Sequence, residues 1–268
     1  MSAIDEQFRK LRSAGQVAFM PFITAGDPDL NFTADLLKAL DAAGCSLIEL
    51  GFPYSDPIAD GPVIQESYTR ALKQKVRVDD ILKMVARVTP TINTPLVAMV
   101  SYAIVFRHGI QPFLDQAKSA GISGLIVPDL PCDESDELRT LCDERHLSLV
   151  QLVTPTTAPE RLARILQQSR GFIYYVSIAG ITGERTQLPA ELADNLKNLR
   201  SQTSTPVCVG FGISQPDQAS MLTDAADGVI VGSAIVRRIG ELARKDRDAA
   251  IQGVVDFSRE MVSALKRR

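Results

Sequence analysis

The stretch Leu47-Ile48-Glu49-Leu50-Gly51-Phe52-Pro53-Tyr54-Ser55-Asp56-Pro57-Ile58-Ala59-Asp60-Gly61-Pro62 divides in two. Residues 47–51 form a short apolar run interrupted by one carboxylate. The remainder is rich in Pro, Gly and Asp, cannot be helix, and is long for a strand-to-helix connection. A strand leaving through a long loop is half of a parallel β/α unit, and seven more short apolar runs follow the same pattern, at 17–23, 95–100, 124–127, 148–153, 173–177, 207–210 and 228–231. Their Val and Ile content suits strands covered on both faces. Between the runs lie segments of helical period, at 32–43, 79–88, 111–120, 134–145, 159–168, 190–201, 215–222 and 249–265. Asp29 or Asn31 offers a start signal for the first of these, and Ser214-Gln-Pro-Asp217 for the seventh.

Eight strand-then-helix repeats without a Gly/Ser/Pro-rich linker predict an α/β chain folded as a single (β/α)8 TIM barrel over residues 1–268, rather than two doubly wound domains. The amphipathic segment 4–14, with Phe8 and Leu11 on one face, is expected to be an extra N-terminal helix closing the bottom of the barrel. A short extra helix at 233–239 is expected after strand 8.

Composition narrows the chemistry. The chain has 268 residues, 45% hydrophobic and 23% charged, as in an ordinary globular protein, and its net charge of −3 provides no basic field for nucleic acid or an anionic membrane. With 2 histidines and no tryptophan, acid–base work near neutral pH falls to carboxylates, and a metal centre of several imidazoles is excluded. The start lacks a signal region and no apolar run approaches a membrane span, so a cytoplasmic location is expected. Cys45, Cys132, Cys142 and Cys208 lack C-x-x-C spacing and read as small buried hydrophobes. The nine lysines fall in helical or connecting segments, which speaks against a Schiff-base mechanism. His108 and His146 lie away from strand ends and are expected to face solvent.

In such a barrel the site forms where strands end and loops begin. Alternation within 47–51 turns Glu49 away from Ile48 and Leu50 and into the barrel mouth, where an apolar setting should raise its pKa. Taken alone, it reads equally well as a structural Glu paired with an arginine or hydroxyl. Asp56 and Asp60 in the following loop each have a plain turn role available. Gly210-Phe-Gly-Ile-Ser214 and Gly232-Ser233 close strands 7 and 8, the place where backbone N–H groups and a helix N-terminus hold a phosphate in these barrels. The glycine-rich stretch 178–188 reads as a lid.

Residues 48–61, together with Pro21-Phe-Ile-Thr-Ala-Gly-Asp-Pro28, Val127-Pro-Asp-Leu-Pro131, Gly180-Ile-Thr-Gly-Glu-Arg185, Gly210-Phe-Gly-Ile-Ser214 and Gly232-Ser-Ala-Ile-Val236, resemble the motifs of the tryptophan synthase alpha chain family in order and spacing. The resemblance spans essentially the whole chain. It implies retro-aldol cleavage of indole-3-glycerol phosphate to indole and glyceraldehyde 3-phosphate. It also implies no cofactor or metal in this chain, and transfer of indole to a pyridoxal-phosphate-dependent beta subunit in an alpha2-beta2 heterotetramer. On the same basis Glu49 and Asp60 are catalytic, and Phe22, Tyr102, Leu125, Val127, Tyr175 and Thr182 contact the substrate. Gly183, Gly212, Gly232 and Ser233 hold the phosphate, and Asp56 and Pro57 meet the partner. The segment Tyr102-Ala-Ile-Val-Phe-Arg-His-Gly109 departs from the family: it lacks the Asn that commonly follows the Tyr by two positions and is one residue shorter. Two other readings stay open, a stand-alone lyase releasing free indole and a subunit that mainly activates its beta partner.

Overall fold

Period-two alternation assembles the core. The computed structural model describes residues 2–57, 60–177, 188–210, 212–243 and 245–266. Eight parallel strands, β1 (Ala18–Thr24), β2 (Ile48–Gly51), β3 (Leu96–Met99), β4 (Ile122–Ile126), β5 (Ser148–Val153), β6 (Ile173–Val176), β7 (Val207–Gly210) and β8 (Gly228–Val231), close in sequence order into a barrel. The helices are α1 (Ala3–Ser13), α2 (Leu30–Ala42), α3 (Pro62–Lys73), α4 (Val78–Val88), α5 (Tyr102–His108) and α6 (Ile110–Ser119), then α7 (Asp136–Glu144), α8 (Pro159–Gln168), α9 (Leu192–Ser201), α10 (Pro216–Ser220), α11 (Ser233–Leu242) and α12 (Arg247–Ala264). No helix among the described residues is long and apolar enough to cross a membrane.

Each strand feeds two separate apolar layers. Ile48, Leu50, Ala98, Leu125, Leu149, Tyr175 and Val209 belong to the layer shared with the surrounding helices. Met20, Phe22, Val97, Met99, Ile126, Val150, Tyr174, Cys208 and Ile230 form the layer inside the barrel. The register carries the inner layer from strand to strand: Phe22 lies beside Glu49, Glu49 beside Val97, Met99 beside Ile126, and Tyr174 beside Cys208. All four cysteines are buried and free. His146 is exposed, whereas His108 is half-buried, edge-on to the Phe113 ring at 5.8 Å.

Helix α1 closes the bottom, as its apolar face requires. Ile4, Phe8 and Leu11 are buried, and Phe8 packs on Phe172 with ring centroids 5.9 Å apart. A Cβ on Gly124 would come within 2.8 Å of the Ile4 side chain, so the glycine makes room for this plug. Ser2 and Asp5 cap the helix reciprocally, and the Ser148 hydroxyl donates to Ser2 Oγ at 2.8 Å. The expected helix after strand 8 is α11, longer than the sequence suggested.

Two helices went unread in the sequence. Pro62, taken as the end of a loop, is the first residue of α3, where its fixed φ and missing N–H are suited to the position. Ile64, Ser67, Tyr68 and Ala71 line the buried face of α3 at helical spacing. Helix α5 starts at the Ser101 cap and stops at Gly109, whose φ of +90° few side chains tolerate.

Candidate active site

Among the described residues, Glu49 is the one carboxylate carried by the strands, and it lies within the inner layer. It is 3% exposed, its Oε1 has no hydrogen-bond partner among the described residues, and its pKa is pushed up to about 8, chiefly by burial and secondly by the charge of Asp60. Asp60 ends the loop from β2 and immediately precedes Gly61, the N-cap of α3. The loop is tied to the helix it enters: the Asp60 N–H donates to the Pro57 carbonyl at 3.1 Å, and Gln65 Nε2 donates to the Asp60 carbonyl at 2.7 Å. Asp60 is 7% exposed, and burial pushes its pKa up to about 6. Burial raises the pKa of both carboxyls, and Glu49, the more deeply buried and the one that also feels the charge of Asp60, is raised further, the ordering by which one site can obtain an acid and an anion from two carboxyl groups.

Across the mouth, Gly232 caps α11 with no side-chain hydrogen bond and Ser233 is the first residue of that helix. Gly212, at φ +82°, turns the chain between β7 and α10. The Phe22 ring spans the space between the two sides. A Cβ on Gly232 would sit 3.6 Å from Phe22 Cβ, and one on Gly51 would sit 2.5 Å from Phe22 Cζ. The mouth thus has a carboxylate end, an apolar floor and an end of uncrowded backbone at a helix N-terminus, the requirements for an aromatic phosphate ester.

Residues 8–266 match the family model described as tryptophan synthase alpha chain. The alpha chain of Synechocystis is 47% identical over 266 residues, covering 99% of this chain and all of the relative, and that of Microcystis aeruginosa is 46% identical over 267 residues with the same coverage. The chain belongs to the tryptophan synthase alpha chain family. A crystal structure of the Legionella pneumophila alpha chain superposes with a TM-score of 0.90 at 35% identity, covering 99% of this chain and 97% of that one. A Mycobacterium tuberculosis tryptophan synthase structure gives a TM-score of 0.89 at 33% identity, covering 100% and 99%. Members of the family cleave indole-3-glycerol phosphate to indole and glyceraldehyde 3-phosphate, and that carbon–carbon lyase reaction is the activity of this chain.

Not every residue carried over from the family sits at the mouth. Leu125, Val127 and Tyr175 belong to the outer layer and pack toward the helices, so they do not line the barrel interior. Tyr175 also hydrogen-bonds through its hydroxyl to Asn195 on α9. Successive strand residues point to opposite faces, and each of these positions is one step out of phase with Glu49. Their inner-layer neighbours are Ile126 and Tyr174, and Tyr174 lies close enough to feel the charge of Glu49. Counting alternation across the ladder from Glu49 would have found both.

Tyr102 opens α5, half-buried, with its N–H donating to Asp129 Oδ1 at 2.8 Å while the Ser101 hydroxyl donates to Asp129 Oδ2 at 2.7 Å. Asp129, which sequence reasoning passed over within Val127–Pro131, thereby ties the loop after β4 to the start of α5. Asp56 is exposed and Pro57 half-buried on the rim. Thr182 and Gly183, with nearly all of the expected lid 178–188, lie outside the described residues.

Tyr68 was not anticipated at all. Its ring lies in the inner layer, 5.5 Å from the ring of Tyr54, and its hydroxyl would be 2.9 Å from a Cβ on Gly51. The neighbouring Ser67 and Arg70 both bind Asp27: Ser67 Oγ donates to Oδ2 at 2.5 Å, and the Arg70 guanidinium forks onto both carboxylate oxygens at 2.9 and 2.6 Å. This clamp fixes the rotation of α3 about its axis.

Proposed function

We propose that Glu49 is the proton shuttle of the cleavage and Asp60 the anion that steadies the indole ring. Glu49 protonates indole C3, producing an iminium whose N–H donates to Asp60. The bond from C3 to the glycerol carbon then breaks. Its electrons restore the indole ring, the hydroxyl on that carbon becomes the aldehyde oxygen, and the hydroxyl proton returns to Glu49. One proton is added and one removed, and the indole N–H is kept throughout. Phe22, with Ile126 and Tyr174 of the same layer, packs the ring, and Tyr102 lies at the rim. Gly212, Gly232 and Ser233 hold the phosphate through backbone N–H groups. The observation that carries this reading is two buried carboxyl groups, Glu49 and Asp60, brought together at one apolar mouth, where burial raises the pKa of both and that of Glu49 further.

Released indole passes to a beta subunit, which carries the pyridoxal phosphate, in an alpha2-beta2 assembly in the cytoplasm. Asp56 and Pro57 on the rim, and Phe106 on α5, which is 69% exposed despite its apolar ring, supply the docking surface. Glu49→Gln should abolish release of indole and glyceraldehyde 3-phosphate, by a thousandfold or more on the order expected for general acid–base catalysis, while far-ultraviolet circular dichroism stays unchanged. Substantial turnover by this variant overturns the assignment of Glu49. Addition of a beta chain should raise the cleavage rate of the parent, and an unchanged rate overturns the partner.

A further inference from the structure

Three buried oxygen atoms at the barrel mouth have no hydrogen-bond partner among the described residues: Thr24 Oγ1, Glu49 Oε1 and Tyr68 OH. Native interiors seldom leave such groups unpaired, and where they do the cause is usually functional. Tyr68 is 1% exposed, and its hydroxyl lies over Gly51, next to the space where a Cβ would be. Glu49 precedes Gly51 by two residues on the same strand and faces the same side, so the two Cβ positions are separated by about 7 Å. An extended glutamate side chain followed by one hydrogen bond covers that separation. Because the Asp27 clamp holds Ser67 and Arg70, the Tyr68 ring between them is kept aimed at this point.

We propose that Tyr68 is a positioning residue for the acid–base carboxylate, its hydroxyl donating to Glu49 in the ionised form that exists between proton donation to carbon and proton recovery from oxygen. This inference rests on the reading of Glu49 as the proton shuttle. Before the reaction Glu49 is a neutral acid and needs no strong donor. Once its proton has gone to C3, an uncompensated carboxylate is left in an apolar barrel, which is costly unless a donor is at hand. The groups that feel Glu49 are Asp60 from the loop after β2, Tyr68 from α3 and Tyr174 from β6, while Tyr54 packs on Tyr68 and feels Asp60, and the adjacent Phe22 and Val97 on β1 and β3 carry no charge. Of these, Asp60 repels the anion. Burial keeps the Tyr68 phenol well above its usual range, so it stays protonated and keeps an O–H to donate to an anion.

The test is Tyr68→Phe, which keeps the ring and its packing on Tyr54, compared with the same position carrying 3-fluorotyrosine, whose phenol is a stronger donor. Tyr68→Phe should lower kcat about tenfold or more with KM within twofold, and move the basic limb of the pH profile and the infrared titration of the Glu49 carboxyl up by about one pH unit. The fluorinated variant should move both downward. The carboxyl band is identified by its loss in Glu49→Gln. If Tyr68→Phe matches the parent in kcat and in both titrations while Glu49→Gln is inactive, the role of Tyr68 is wrong and that of Glu49 stands. If Glu49→Gln itself turns over, the reading beneath the inference fails. If Tyr68→Phe does not fold, the fluorinated variant decides alone, and a titration indistinguishable from the parent overturns the proposal.

Discussion

The two ends of the barrel are built from the same inner layer and treated in opposite ways. At the bottom, Ile4, Phe8 and Leu11 of α1 seal the strands, and the polar groups there answer one another: Ser2 with Asp5, and Ser148 with Ser2. At the top, Thr24, Glu49 and Tyr68 hold buried oxygens without partners among the described residues. The bottom lowers the free energy of the fold, each large side chain contributing about 1.5–3 kcal/mol on burial. The top forgoes part of that gain and holds in its place a buried carboxyl whose pKa is raised by burial.

The contrast breaks most visibly at Asp60. Asp60→Asn should reduce cleavage about a hundredfold or more and leave a measurable residue of activity, because an amide oxygen still accepts the indole N–H. Steady-state release of indole checks this, and an unaffected rate would mean that the top does not depend on this anion. At the other end, Phe8→Ala should cost about 3–5 kcal/mol of stability, read as a urea midpoint shift, with kcat unchanged in the protein that remains folded. A kcat that falls with stability would show that the two ends are coupled.

Glu49→Gln sharpens the comparison through stability. The folded-state pKa of Glu49 is raised from 4.5 to about 8, so the folded chain holds a proton that the unfolded chain has released. The parent should therefore lose stability, by several kcal/mol at most, as pH rises from about 4.5 to about 8, and no further above that. Glu49→Gln should lack that part of the slope in urea unfolding measured across the same range. The smallest effect concerns the pH profile of kcat/KM. It should be bell-shaped, rising near pH 6 as Asp60 ionises and falling near pH 8 as Glu49 loses its proton. Gly232→Asp should raise KM through repulsion of the phosphate, with indole formation at saturating substrate nearly retained.

The barrel was legible because its pattern is local. Strand runs such as 148–153 and 207–210 coincide with β5 and β7 to the residue, since a Val-rich run between turn residues has few other ways to fold. Helix α3 was missed because Pro62 followed a run of loop residues and its helix-starting role shows only once Asp60 and Gln65 are seen bonded together. Leu125, Val127 and Tyr175 were misplaced for a different reason: motif order was carried over without the phase of each strand, and a one-residue offset turns a side chain from the barrel to the helices.

By itself the sequence determined the eight-unit barrel and the helix beneath it, because strand alternation and capping act over a few residues, whereas Glu49 and Asp60 became a pair only through the resemblance to the family. Only the tertiary structure decided the phase in which β4 and β6 face the mouth, that Glu49 and Asp60 are buried there together, and that the Tyr68 ring from α3 lies in the same layer. Those properties depend on burial and on contacts between elements distant along the chain. The Asp27 clamp on α3 couples positions some forty residues apart, and no local pattern encodes a partnership of that span.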